Sequence, residues 1–186
     1  MSKSLDEMPF EELGRLFPII ISEYNANWPK LFEAEKKKII KAAGKENIFA
    51  VHHIGSTSVE GLKAKPTIDM MLVIKDDADL NSFKTNVTNI GYEYSLQKND
   101  PPPHITFYKG YTYTGFNGQA YHLHIRYNEV FDEIVFRDYL RKNESARREY
   151  EDLKIQLQKQ YEFDREGYTQ SKSVFVNDIL RRAKND

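Results

Sequence analysis

Residues 67–74, Thr-Ile-Asp-Met-Met-Leu-Val-Ile, are apolar almost throughout, and Asp69 is the one charge among them. Such a run reads as a strand buried on both faces. Residues 48–54 (IFAVHHI) predict a second strand. The segment between them, 55–66, is too rich in glycine, hydroxyl residues and lysine for a strand and makes a poor helix. Residues 92–96, 105–108 and 121–127 read as further strands, with Asp-Pro-Pro-Pro at 100–103 as a stiff loop. In 121–126 the alternation has period two, which puts His122, His124 and Arg126 on one face and Leu123 and Ile125 on the other.

Helical spacing governs the remainder. Asn27 is a suitable N-cap and Pro29 falls in the first turn, where its missing N–H costs nothing. Leu31, Phe32, Glu35, Ile39 and Ala43 follow on one stripe, and Gly44 is a stop. Residues 79–90 present Leu80, Phe83, Val87 and Ile90 on one side before Gly91. The C-terminal third repeats Tyr150, Leu153, Leu157 and Tyr161, and a last helix over roughly 170–182 carries Val174, Phe175, Ile179 and Leu180. Near the start, 4–17 reads as a short helix and 18–22 as a short apolar strand. Strands gathered in the middle and helices at the end predict an α+β or mixed α/β architecture, not a regular βαβ alternation. We divide the chain into an N-terminal extension, 1–17, and a single domain, 18–186.

Composition narrows the picture. Its 186 residues suit one domain, and 40% hydrophobic with 13% aromatic residues supply a core. The absence of cysteine excludes disulfides, thiolate metal sites and cysteine nucleophiles. With 27 basic and 28 acidic residues, no global field draws the chain to nucleic acid or anionic lipid. No zinc-finger spacing, helix-turn-helix or RNA-recognition motif is visible. No targeting segment stands at the N-terminus and no apolar run approaches the roughly 18 residues of a membrane span, so the expectation is a cytoplasmic protein with no membrane partner.

The chemistry concentrates between His53 and Asp69. Gly55 follows a strand and precedes Ser56 and Thr57. A glycine there permits close approach of a ligand, and successive N–H groups with nearby hydroxyls form an anion nest. An ordinary turn with capping hydroxyls is the other reading. Lys63 and Lys65 follow as point charges suited to phosphate. Asp69 in an apolar strand needs a metal, a cation or a hydrogen-bond network, because an unpaired buried carboxylate costs several kcal/mol. Lys65 as a purely structural partner remains open.

The stretches EYNANWPKLF (23–32), HIGSTSVEGL (53–62), KPTID (65–69), HLHI (122–125) and FRDYLR (136–141), with Tyr150, Lys154, Tyr168 and Lys172, resemble the GrpB family over residues 18–183. The resemblance implies a nucleotidyltransferase-like fold: a mixed β-sheet flanked by helices, with further C-terminal helices. It also implies a link to coenzyme A metabolism, since some relatives are fused to dephospho-coenzyme A kinase. In the wider superfamily a Gly-Ser turn holds a nucleotide triphosphate, and acids on the next strand hold divalent metal.

Carried over by position, Gly55 and Ser56 match the turn and Asp69 the first acid. Met71 stands where the second acid is expected, which puts a two-metal reaction in doubt. His122 and His124 lie on the strand where a third acid would be. The expected catalytic residues are therefore Asp69 and His124, which are also the expected ligands of Mg2+ or Mn2+. The expected phosphate- or substrate-binding residues are Gly55, Ser56, Thr57, Lys65, His53, His122, Arg126, Arg137 and Lys172.

Each of these has a plainer reading. Alternating histidines are common on hydrogen-bonded sheet faces, and Arg137, Asp138 and Arg141 at helical spacing can be a surface ion-pair ladder. His52 should point away from His53 and be structural, and His104 carries no clear signal. Two functions follow: a metal-dependent nucleotidyl- or phosphoryl-transferase acting on a small molecule, or a non-catalytic module binding a nucleotide or phosphorylated metabolite. A weaker third is a metal-dependent hydrolase built on His53, His122, His124 and Asp69.

Overall fold

The computed structural model describes residues 5–95, 105–127 and 131–185. Five strands form one sheet in the order β1-β2-β5-β4-β3: β1 is Ile48–Ile54, β2 Thr67–Ile74, β3 Glu93–Ser95, β4 Ile105–Thr112 and β5 Gly115–Arg126. Only the central pair, β2 and β5, is parallel; every other neighbour is antiparallel. The mixed sheet flanked by helices is the expected architecture. Expected loop 100–103, His104, Ser4 and Leu96 lie outside the described residues.

The helices are α1 (Phe10–Leu16), α2 (Trp28–Ala43), α3 (Leu80–Thr88), α4 (Asp132–Lys142), α5 (Glu144–Gln160), α6 (Arg165–Ser171) and α7 (Ser173–Ala183). α2 begins where Asn27 and Pro29 predict, yet Asn27 caps nothing with its side chain; it is helical itself, and its N–H donates to Asn25 Oδ1. α3 has the side-chain cap instead, Asp79 accepting from the N–H groups of Asn81 and Ser82. The expected last helix is two, broken at Lys172. Residues 18–22 add only an isolated bridge, Ser22 to Ala64, and Ile19 packs with Leu157 and Tyr168. β4 and β5 run beyond their expected ends into a hairpin that Phe17 covers through Tyr111 and Phe116.

Alternation divides the two sheet faces. Ile68, Met70, Leu72 and Ile74 of β2 join Tyr121, Leu123 and Ile125 of β5 beneath Trp28, Phe32 and Ile39 of α2 and Phe83 and Val87 of α3. That is the main core. On the other face, Asp69, Met71 and Val73 lie beside His122, His124 and Arg126. There the C-terminal helices stand off the sheet and pack on the 55–62 loop through Val59, Leu62, Leu140, Tyr150 and Ile179. The gap between sheet and helices holds the candidate site.

Candidate functional site

A cleft of about 740 Å³ opens in this gap. Gly55, Ser56, Thr57, Lys65, Thr67, Asp69, His122 and His124 form its sheet side. Glu133 and Phe136 of α4, Tyr150 and Lys154 of α5, Tyr168 of α6, then Lys172, Asn177 and Leu180, form its helical side.

The Gly-Ser turn is closer to Asp69 than its sequence separation suggests. Gly55 has φ +68°, and a Cβ there would stand 2.3 Å from Asp69 Oδ2. The glycine thus serves two needs, a left-handed backbone and room for a carboxylate against the chain. Ser58 Oγ closes the turn on Gly55 O at 2.6 Å. Thr57 is buried; its hydroxyl donates to Thr67 O at 3.1 Å and meets His53 Nε2 at 3.0 Å. Thr57 therefore ties the turn to β2.

Asp69 and His122 are register partners on β2 and β5, and His122 Nδ1 lies 3.0 Å from Asp69 Oδ1. Burial raises the Asp69 pKa, but the His122 hydrogen bond and the neighbouring His122, His124 and Lys65 outweigh it and hold the carboxyl below its usual range. Tyr111 OH sits 2.8 Å from the second nitrogen of His122. His124 stands two residues along on the same face, its Nδ1 3.3 Å from Thr106 Oγ1. Burial lowers the pKa of His124 to about 4, so the ring is neutral at pH 7. Asp69, His122 and His124 offer donor atoms all within 4.8 Å of one another.

Three lysines converge from different elements. Lys154 is 2% exposed and donates to Lys63 O. Nζ of Lys65 and of Lys172 lie over the Tyr168 ring, 5.6 and 4.4 Å from its centroid. None makes an ion pair with a carboxylate among the described residues; Asp69 and Glu151 act on them only at a distance. Burial lowers Lys65 and Lys154 to about 7 and Lys172 to about 8.

Three expected contacts, His53, Arg126 and Arg137, fall elsewhere, and Arg141 stands with them. Antiparallel pairing sets Ile54 opposite Asp69 and His53 opposite Met70, so His53 faces the core side and stacks on Phe32 at 4.7 Å. Arg126 shares the cleft face but donates to Ile125 O and approaches Glu133 at 3.5 Å. Arg137 donates to His53 O at 2.9 Å and pairs with Asp138. Arg141 donates to Ser58 O through two nitrogens. Both arginines share Asp138 as an ion-pair partner, at 2.7 and 3.6 Å, so the ladder is present, and their remaining donors brace the backbone on either side of the Gly-Ser turn. Met71 is fully buried with Ile54 and Val73 beneath Phe131 and Ile134, which explains why no carboxylate occupies it.

The family model described as GrpB protein matches residues 18–182. A UPF0157 protein of Halalkalibacterium halodurans is 35% identical over 183 residues, covering 96% of this chain and 91% of that protein. The glutamate-rich protein GrpB of Alkalihalophilus pseudofirmus is 31% identical over 166 residues, covering 87% and 94%. The crystal structure of conserved protein GrpB from Enterococcus faecalis matches with a TM-score of 0.76 at 30% identity, covering 88% of this chain and 96% of that one.

Proposed function

The chain belongs to the GrpB family, and from that premise we propose that it binds a nucleotide or other phosphorylated small molecule in the cleft and transfers a phosphoryl or nucleotidyl group from it. The observation that carries this reading is the trio of cleft lysines without carboxylate partners. Amines withdrawn from water and left unpaired gain most from an arriving polyanion, which restores their charge and accepts their hydrogen bonds. Three cations on converging elements suit a chain of phosphates better than a single carboxylate. The Gly55–Ser56 turn adds backbone N–H groups beside them.

Transfer of such a group needs mainly positioning and charge neutralisation. The lysines hold the phosphates, Ser56 and the turn orient them, and Asp69 stays ionised at the sheet end of the same cleft. His124, neutral with a pKa of about 4, is a weak proton acceptor and better suited to ligation than to general-base work. A divalent cation at Asp69 and His124, when bound, would neutralise charge on the phosphates.

Met71 favours the second reading, a module that binds the same ligand without turnover, with coenzyme A precursors among its candidates. Thermal unfolding against nucleoside triphosphates and coenzyme A precursors, with and without divalent cations, separates the possibilities. A shift lost in Lys154→Met supports the phosphate cleft, and no shift in the wild type sinks it. Product from the shifted ligand supports transfer, whereas a ligand recovered intact after hours supports the binding module.

A further inference from the structure

Metal selection in the nucleotidyltransferase-like reading rests on oxygen: carboxylates that share Mg2+. The donors in this chain are of a different class. The three groups that converge are one carboxylate and two imidazoles, from Asp69, His122 and His124. The place where a second carboxylate would enter carries Met71, sealed in an apolar cluster. Mg2+ takes oxygen ligands and sheds water reluctantly, whereas imidazole suits Zn2+, Fe2+, Co2+ and Ni2+. Mg2+ therefore fits these residues poorly.

Two further features make the histidines a built set. Each ring has one nitrogen tied to a hydroxyl, Tyr111 on His122 and Thr106 on His124. Such outer contacts fix ring orientation and are the usual accompaniment of ligating histidines. The Tyr111 hydroxyl can also reverse its role, since a phenol both donates and accepts. His122 Nδ1 now faces Asp69 Oδ1 at 3.0 Å. Two ligands each about 2.1 Å from a common ion at right angles are also about 3 Å apart. For Nδ1 to ligate, its proton must leave and Nε2 must gain one, solvent serving as carrier. Nε2–H then donates to Tyr111 O, and no hydrogen bond to Tyr111 is lost.

We propose that Asp69, His122 and His124 form a binding site for one divalent transition-metal ion, such as Zn2+, Co2+ or Ni2+, and select against Mg2+. This refines the metal part of the reading above. It does not depend on the phosphate part, because no lysine enters the argument.

The test is Co2+ titration of the full chain after chelator treatment, read by visible absorption without any nucleotide. The expected result is one Co2+ per chain, displaced by stoichiometric Zn2+ and retained in about a hundredfold excess of Mg2+. His122→Gln and His124→Gln should abolish the absorption. Tyr111→Phe should weaken binding about 10- to 100-fold, the usual effect of losing an outer contact. Absent Co2+ bands, displacement by equimolar Mg2+, or bands unchanged in both histidine variants would overturn the proposal. Should a variant fail to fold, the Mg2+ competition in the wild type still decides. Nucleotide shifts that survive without metal and vanish in Lys154→Met keep the two readings distinguishable.

Discussion

Two regions of this molecule withdraw charge from water and treat it oppositely. On α2, Glu35 is 1% exposed, with Lys109 Nζ of β4 at 2.7 Å and Lys38 Nζ at 2.8 Å. On the other side of the sheet, Lys65, Lys154 and Lys172 are drawn into the cleft with no carboxylate in salt-bridge contact among the described residues. In the first region the cost of desolvation is offset within the chain. In the second it is not, and the proposed phosphate ligand would offset it. The comparison separates charge that holds the fold together from charge held ready for something else.

The largest effect should come from Glu35→Ala. It leaves Lys109 half-buried beside the core without its partner, and breaking a buried pair costs about 3–5 kcal/mol. Denaturant unfolding should show that loss, while ligand affinity per folded molecule stays unchanged; a loss of affinity alone would erase the distinction. Next is Lys154→Met in the cleft. Removing a charge-assisted contact of about 1.5–3 kcal/mol should weaken a phosphate ligand roughly 10- to 100-fold. Stability should change little, because a buried ammonium without a carboxylate is gone but so is its hydrogen bond to Lys63 O. If this variant unfolds as Glu35→Ala does, the lysine is structural after all.

Gly55→Ala sharpens the cleft side. A left-handed backbone with Cβ 2.3 Å from Asp69 Oδ2 should cost about 1–3 kcal/mol and push the carboxylate from His122. Unfolding and the Co2+ titration should both register it, and an unperturbed Co2+ spectrum would argue against the close approach.

The pH dependence is the smallest effect and divides the regions by pH window. Glu35 has a lowered pKa: burial raises it, but Lys109 and Lys38 outweigh that. Its contribution is full above the ordinary carboxylate range and lost as pH falls through the lowered value. The cleft lysines have the same slope in an alkaline window, but it reports the relief of a destabilising buried charge and not the gain of a stabilising pair. Their folded values, about 7 to 8, lie below the ordinary 10.5, so the unfolded chain holds more protons between. Ligand-free stability attributable to them should rise with pH above 7, and anion affinity should fall over the same window. Titration calorimetry in buffers of different ionisation heats should detect proton uptake on binding near pH 8. Its absence, or an equal uptake in Lys154→Met, would remove the lysines from the ligand's reach.

Legibility followed locality. Residues 48–54 and 67–74 are strands as their composition predicts, and the period-two reading of 121–126 put His122, His124 and Arg126 together correctly. Glu35 was visible as an acid in an apolar stripe, though not its partner, because Lys109 lies 74 residues away. His53 was assigned to the wrong face: the alternation of His52 and His53 is plain, but which one shares a face with Asp69 depends on the β1–β2 register. The ion pairs of Arg137 and Arg141 with Asp138 were legible from helical spacing, but their bracing of the turn was not. Their acceptors are backbone carbonyls more than 80 residues back, and carbonyls carry no sequence signature. Lys154 entered the sequence reading only through the family resemblance, and its place under the loop at Lys63 came with the packing of α5.

The sequence by itself determined which residues alternate, where the chain must turn and that Asp69 needed a partner, since periodicity, backbone freedom and desolvation are properties of a residue and its near neighbours. Only the tertiary structure decided which partner Asp69 has, which lysines lack one and which histidines meet. Those outcomes depend on strand register and on helices arriving from the far end of the chain, and no local pattern encodes a distance between segments that touch only after folding.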